Sequence, residues 1–226
     1  MQLAIRPWVE RGSVLEPEAY QILESYGLSL PRHAFTTSVE EAREAARSMG
    51  FPVVLKVVSP QIIHKSDAGG VIVGIKNLDE LEAGFRRIRA LEARPGVDVQ
   101  GVLVVEQARA GHELIIGGLR DEEFGPVVMF GMGGVFVEVL KDVAFALAPV
   151  GHGEALDLIK TTAAGHMLRG LRGREPADVD EAARIISIVS RIMAEVSEIA
   201  EIDLNPVVAY PKGCAILDAR ILLVPG

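Results

Sequence analysis

Residues 52–70 read PVVLKVVSPQIIHKSDAGG. Pro52 to Val58 is an almost unbroken apolar run, the pattern of a strand buried on both faces. Lys56 interrupts it. An ammonium there is costly unless an anion meets it or the side chain snorkels to water from an edge strand. The first reading makes Lys56 a phosphate ligand, the second a structural residue. Ser59 to Gly70 has the composition of a loop. It ends in Ala68-Gly69-Gly70, where glycines let backbone N–H groups approach a phosphate, although such a pair also serves a plain turn. The spacing fits neither a P-loop nor a dinucleotide fingerprint. His64 shares the loop with Lys65, Ser66 and Asp67. A neutral imidazole attacks phosphoryl groups readily, with Ser66 or Asp67 to orient it; a surface histidine is the alternative.

Working outward, Leu15–Tyr26 has helical apolar spacing and stops at Gly27, and a strand follows at His33–Thr36. Ser38 with Glu41 forms a capping box for a helix that ends at Gly50. Beyond the loop come a strand at Val71–Ile75, a helix at Asp79–Ala93 and strands at Val102–Glu106, Glu113–Gly117 and Pro126–Phe130. A further strand at Val135–Leu140 follows the glycines of GMGG, and Ala144–Val150 continues it. Helices are expected at Glu154–Lys160 and Ala177–Ile199, then strands at Asp203–Tyr210 and Ala215–Leu223 joined at Pro211-Lys212-Gly213 as a hairpin. Strand and helix alternate early and strands cluster late. That order indicates an α+β (α/β) fold of two lobes, residues 1–105 and 106–226.

Several acids sit where apolar residues dominate. Asp203 and Asn205 share one face of their strand, and Asp218 on the return strand comes opposite them. Oxygen ligands on one surface suit Mg²⁺, which completes its shell with phosphate and water. Glu138, inside VFVEVL, is a further candidate ligand. Glu106 ends a strand and Glu113 follows it; carboxylates so placed can accept from ribose hydroxyls, or be solvated turn residues.

Composition narrows the classes. With 23 Lys plus Arg against 31 Asp plus Glu, the net charge is −8, which opposes a nonspecific nucleic-acid surface. Cys214 is the only cysteine, so no internal disulfide or cysteine metal cluster can form. No signal-peptide core or transmembrane run stands out, and a cytoplasmic protein is expected.

Taken together, the strand lysine, glycine-ended loop, strand-end glutamate and late Asn–Asp hairpin look like an ATP-grasp site. VVLKVVSPQIIHKSDAGGV, FGPVVMFGMGGVFVEVLKDVAFALAPV and EIDLNPVVAY resemble the β subunit of ADP-forming acyl-CoA (acetate–CoA) synthetases, relatives of succinyl-CoA synthetase. The likeness runs from about Pro7 to Leu223. It implies an ATP-grasp fold with ADP or ATP bound between two lobes. Lys56 would contact the phosphates, with Ser66, Asp67, Gly69 and Gly70 covering them. Glu106, Gln107 and Ala108 would hold adenine, and Glu113 the ribose. Asn205 and Asp218 would hold Mg²⁺, with Asp203 and Glu138 nearby. His64 would relay a phosphoryl group. The resemblance further implies an acid–thiol ligase that needs a CoA-binding α subunit, so this chain would be half an enzyme. A non-catalytic nucleotide-binding module and a stand-alone ATP-grasp ligase are the competing readings.

Overall fold

The computed structural model describes residues 8, 13–134, 142–170 and 175–224. The chain divides into two compact units: Leu30–Arg109, and Ala110–Gly226 together with the chain up to Ser29. The expected division into 1–105 and 106–226 is therefore corrected. Strand β1 (Ser13–Val14) pairs antiparallel with β11 (Arg220–Leu223), and helix α1 (Glu16–Ser25) packs on the same strand. These long-range ties carry the early segment into the later unit.

The unit Leu30–Arg109 holds β2 (His33–Thr36), α2 (Val39–Met49), β3 (Val53–Val58), β4 (Val71–Ile75), α3 (Leu78–Arg89) and β5 (Gly101–Glu106). Its sheet runs β2-β5-β3-β4, every pair antiparallel. The capping box is present: the Glu41 N–H donates to Ser38 Oγ at 3.2 Å, and the Ser38 N–H donates to Glu41 Oε2 at 3.3 Å. Helix α3 begins one residue before the expected start because Asn77 caps it, accepting from the Glu80 N–H at 2.9 Å. Its last turn tightens into a 3-10 turn at Ala90–Ala93. Alternation along β3 and β5 places Val53, Leu55, Val57, Val102 and Val104 against Ala42, Ala46, Leu81, Phe85 and Ile88 of the two helices. Truncating Leu55, fully buried there, to alanine would cost about 2–5 kcal/mol.

The other unit adds β6 (His112–Asp121), β7 (Gly125–Met132), β8 (Val143–Leu147), α4 (His152–Lys160), α5 (Ala163–Leu168), α6 (Val179–Glu195), β9 (Ile199–Ala209) and β10 (Cys214–Ile216). Its sheet runs β1-β11-β9-β6-β7-β8, with β10 on β9. Helix α6 lies across β6, β7 and β9, and its stripe Ala182, Ile185, Ile186, Val189, Ile192 and Met193 is buried.

Three details depart from the sequence reading. The long helix stops at Glu195, and Ile199 opens β9. The apolar stripe continues through Val196 and Ile199, but the Arg120 guanidinium collects the carbonyls of Met193, Val196 and Ile199 at 2.7, 3.0 and 3.2 Å and ends the helix. Helix α5 was not expected; six residues show no periodicity, and it is capped from a distance by Asp142, which accepts the N–H groups of Ala163 and Ala164 at 2.9 and 2.8 Å. The return arm of the hairpin is two strands, β10 and β11, with Leu217–Ala219 between them. The strand expected over Val135–Leu140 lies outside the described residues. Among the described residues, no helix is long and apolar enough to cross a membrane.

Candidate functional site

In the unit Leu30–Arg109, Lys56 is 6% exposed and pairs with Val71 of β4 and Leu103 of β5. It is therefore not an edge residue, and it lies on the sheet face opposite the helices. A lysine buried in the middle of a sheet, away from the apolar core, is positioned for an anion rather than for packing.

The loop from Ser59 to Gly70 is closed at its base by the Val57 N–H donating to the Gly70 carbonyl at 2.7 Å. Within it, the N–H groups of Ala68, Gly69 and Gly70 donate to the carbonyls of His64, Ser66 and Lys65 at 3.2, 3.0 and 2.7 Å. The glycine N–H groups are thus engaged in the turn itself. What requires glycine is conformation and space: Gly69 has φ +71°, and a Cβ on Gly70 would collide with the Val57 side chain. The winding leaves His64, Ser66 and Asp67 exposed on the outside of the loop.

At the end of β5 the Glu106 carboxylate is engaged. Arg32 grips it with both arms, Nε to Oε2 at 2.9 Å and an Nη to Oε1 at 3.1 Å, and the same guanidinium donates to the Met49 carbonyl at 2.6 Å. Arg32 thereby holds the Glu106 carboxyl below its ordinary range. The Glu106 N–H donates to the Arg32 carbonyl at 2.8 Å and the Gln107 N–H to Pro52 at 3.2 Å. Pro52 has no N–H to return, so the Gln107 carbonyl accepts no backbone N–H among the described residues, and the Ala108 N–H donates to no backbone carbonyl among them. Gln107 uses its side chain elsewhere, accepting from the Gly74 N–H at 2.7 Å. An open carbonyl followed by an open N–H is an edge that matches a purine amine and its neighbouring ring nitrogen.

In the other unit, β9 alternates over its middle: Ile202 and Leu204 are buried, while Glu201, Asp203 and Asn205 line the opposite face. Arg220 stands in register with Asp203, donates to Glu201 Oε1 at 2.5 Å and comes within 3.8 Å of Asp203 Oδ2. Asp203 Oδ1 is buried without a hydrogen-bond partner. Burial pushes the Asp203 carboxyl above its ordinary range, Arg220 opposes that, and the charges of Glu201 and Asp218 add to it. Ile216 pairs with Val207 and Arg220 with Asp203, so the register is kept across the break and Asp218 comes level with Asn205.

Asn205 Oδ1 accepts from the Gly134 N–H at 3.3 Å, and a Cβ on Gly134 would strike the Glu113 carboxylate. Glu113 therefore lies beside Asn205, on the hairpin side. The orphaned Asp203 oxygen, with Asn205 and Asp218 alongside, fits a hard cation held by a few protein oxygens. Among the described residues, no cluster of three or more His, Cys, Asp or Glu forms a metal cage. Glu138 lies outside the described residues. Sequence reading missed Arg32 and Arg220, whose partners Glu106 and Glu201 lie on other strands; nothing in their local sequence marks them.

The sequence profile of the ATP-grasp domain matches residues 9–223. The β subunit of acetate–CoA ligase [ADP-forming] I from Pyrococcus furiosus is 44% identical over 95% of this chain and 93% of its own. The chain belongs to the ATP-grasp family, among the β chains of ADP-forming acetate–CoA ligases. This ATP-grasp chain also matches longer relatives, of which it spans about a third: a 4-hydroxybutyrate–CoA ligase [ADP-forming] of Nitrosopumilus maritimus is 45% identical over 94% of this chain and 31% of its own. Among solved structures, acetyl-coenzyme A synthetase 1 of Ca. Korarchaeum cryptofilum, bound to coenzyme A and Ca-AMPCP, superposes with a TM-score of 0.92 at 44% identity, covering 98% of this chain and 100% of that one. The same protein with Mg-AMPPCP has its phosphohistidine segment pointing towards the nucleotide-binding site, at TM-score 0.83 and 46% identity over 95% and 94% of the two chains. The ATP-grasp fold expected from the sequence is borne out.

Proposed function

We propose that this chain is the nucleotide-binding β part of an ADP-forming acyl-CoA ligase, an acid–thiol ligase that runs acyl-CoA, ADP and phosphate to acid, CoA and ATP. The observation that carries the reading is the match, nearly end to end, to a separate β subunit of that activity. The buried Lys56 and the exposed His64 add chemical support.

Lys56 neutralises phosphate oxygens. The Gln107 carbonyl and Ala108 N–H read the adenine edge, and the Glu106 carboxylate, held by Arg32, shapes that corner without touching the base. Ser66, Asp67, Gly69 and Gly70 form the turn that presents His64 over the phosphates. Glu113, placed beside Asn205, accepts from ribose hydroxyls. Asp203, Asn205 and Asp218 are the residues that would hold Mg²⁺, which when bound spreads the charge of the phosphate oxygens.

The reaction arrives as a phosphoryl group. On a CoA-binding α partner, acyl-CoA and phosphate give acyl phosphate and CoA, and the acyl phosphate passes its phosphoryl group to a histidine, releasing the acid. A His64 ring nitrogen then attacks that phosphorus; its N–P bond forms as the donor's N–P bond breaks. The terminal oxygen of ADP attacks in turn, the His64 N–P bond breaks, and the imidazole returns to its neutral form as ATP leaves. Relatives named for acetate and for 4-hydroxybutyrate match this chain about equally well, which supports acid selection by the partner.

The test is reconstitution of the full chain with a CoA-binding α chain, acetyl-CoA, phosphate, ADP and Mg²⁺. ATP should form only when both chains are present. Nucleotide binding without turnover would leave a non-catalytic module, and ligation of an amine by this chain alone would make it a stand-alone ligase; either result overturns the reading.

A further inference from the structure

Strand β4 carries a bulge against β3. Val53 pairs with Ile75 and Leu55 with Ile72, so Val73 and Gly74 together stand opposite Val54. A bulge sets an N–H off the ladder, and such an N–H, when partly buried, needs a partner of its own. The Gly74 N–H donates to Gln107 Oε1 at 2.7 Å. Gln107 follows β5, and in the sheet β3 lies between β5 and β4. The Gln107 side chain therefore reaches past the start of β3 to close the bulge on its far side.

Gln107 also stands where the ladder gives out. It comes one place beyond the last pair of β3 with β5, Val53 with Glu106, and its N–H donates to the Pro52 carbonyl at 3.2 Å. A residue in an antiparallel pair that exchanges bonds is held by two of them, and proline returns none. Among the described residues Gln107 makes two hydrogen bonds, and the second is the side-chain bond to Gly74, the shorter of the two. Anchors on Pro52 and on β4 hold the residue without using its carbonyl.

We propose that Gln107 is a positioning residue that sets base selectivity: its side-chain oxygen, bonded to the bulge at Gly74, takes over from the missing ladder bond and holds the backbone of Gln107 and Ala108 in the orientation that reads adenine. This rests on the reading that these two residues meet the adenine edge.

Gln107→Met keeps the length of the side chain and removes the acceptor, whereas Gln107→Glu keeps an oxygen that accepts from Gly74. The measurement is calorimetric binding of ADP and of inosine diphosphate to the full chain, with the thermal midpoint recorded separately. Inosine diphosphate presents a carbonyl and an N–H where adenine presents an amine and a bare ring nitrogen. Ribose and phosphates are the same in both, so the ratio of the two affinities reports the base alone. Wild type should prefer ADP by about ten-fold or more. Gln107→Met should lower that ratio about five-fold, the effect of one hydrogen bond, with inosine diphosphate affinity little changed, and Gln107→Glu should restore it. A wild-type ratio in Gln107→Met, with or without a lowered midpoint, makes the bond to Gly74 merely structural and overturns the proposal. A ratio lost in Gln107→Glu as well as in Gln107→Met makes the side-chain amide N–H the group that meets the base, and overturns it too. A wild-type chain that binds both nucleotides equally overturns the reading of the adenine edge beneath it.

Discussion

Two prolines do the same thing to the backbone in different units, with opposite sequels. Pro52 faces Gln107 and Pro206 faces Leu217; each accepts a bond from the residue opposite and has no N–H to return. In the unit Leu30–Arg109 the carbonyl so released takes no backbone N–H among the described residues, and the neighbouring Ala108 N–H meets no backbone carbonyl among them. In the other unit the Tyr20 hydroxyl, from a helix 197 residues away in sequence, comes within 3.4 Å of it. The contrast extends to the side chains. Lys56 is buried on its sheet between Val71 and Leu103, and His64 is on an exposed turn. Arg220 instead ties Glu201 and Asp203 together, and Asn205 takes the Gly134 N–H beside Glu113. An edge that reads a ligand by its backbone must keep groups open, whereas carboxylates that would share a cation must be braced against their own repulsion.

The comparison breaks most visibly at His64. If the exposed turn performs transfer and not binding, His64→Ala should cut ATP formation with the α partner by about a thousand-fold or more, as removal of a nucleophile does. Its ADP affinity should stay within about two-fold of wild type. Calorimetry and coupled turnover on the same preparations decide the matter; a parallel loss of both would make the loop a binding element.

Lys56 gives the next largest effect. Replacing a buried cation by methionine removes a charge-assisted contact of about 2 kcal/mol. Lys56→Met should therefore raise the dissociation constant for ADP about 30-fold, while adenosine, which has no phosphate, binds as before. Equal losses for both ligands would mean that the substitution disturbs the sheet and that Lys56 is structural.

What was legible in the sequence follows the reach of the forces involved. The capping box at Ser38, the strand at His33–Thr36 and the turn at Pro211–Gly213 are set by neighbours within a few residues, and the structure has them where expected. The end of α6 is set by Arg120, some seventy residues earlier, and no apolar pattern carries that information. The Lys56 strand and the Asp203, Asn205 and Asp218 hairpin were readable because charge inside an apolar run is costly and stands out. Two things were not. Glu106 looked free because its partner, Arg32, lies across the sheet from it. Gly69 and Gly70 looked like phosphate donors because composition cannot tell an N–H open to a ligand from one closed in a turn.

Glu106 gives the smallest effect and the sharpest distinction. If the adenine edge is read by the Gln107 carbonyl and Ala108 N–H, Glu106→Gln should change ADP affinity by less than about two-fold, the size expected when an exposed ion pair is neutralised. Its consequence should be for folding. Because Arg32 lowers the folded-state pKa of Glu106, the pair stabilises the native unit above the ordinary glutamate range of about 4.3, and that contribution is lost as pH falls through the depressed value. Wild type and Glu106→Gln should thus differ slightly in unfolding midpoint at pH 7 and converge in acid. A large loss of ADP affinity with no such convergence would mean that the carboxylate itself meets the ligand, and the open backbone edge of this unit would lose its role.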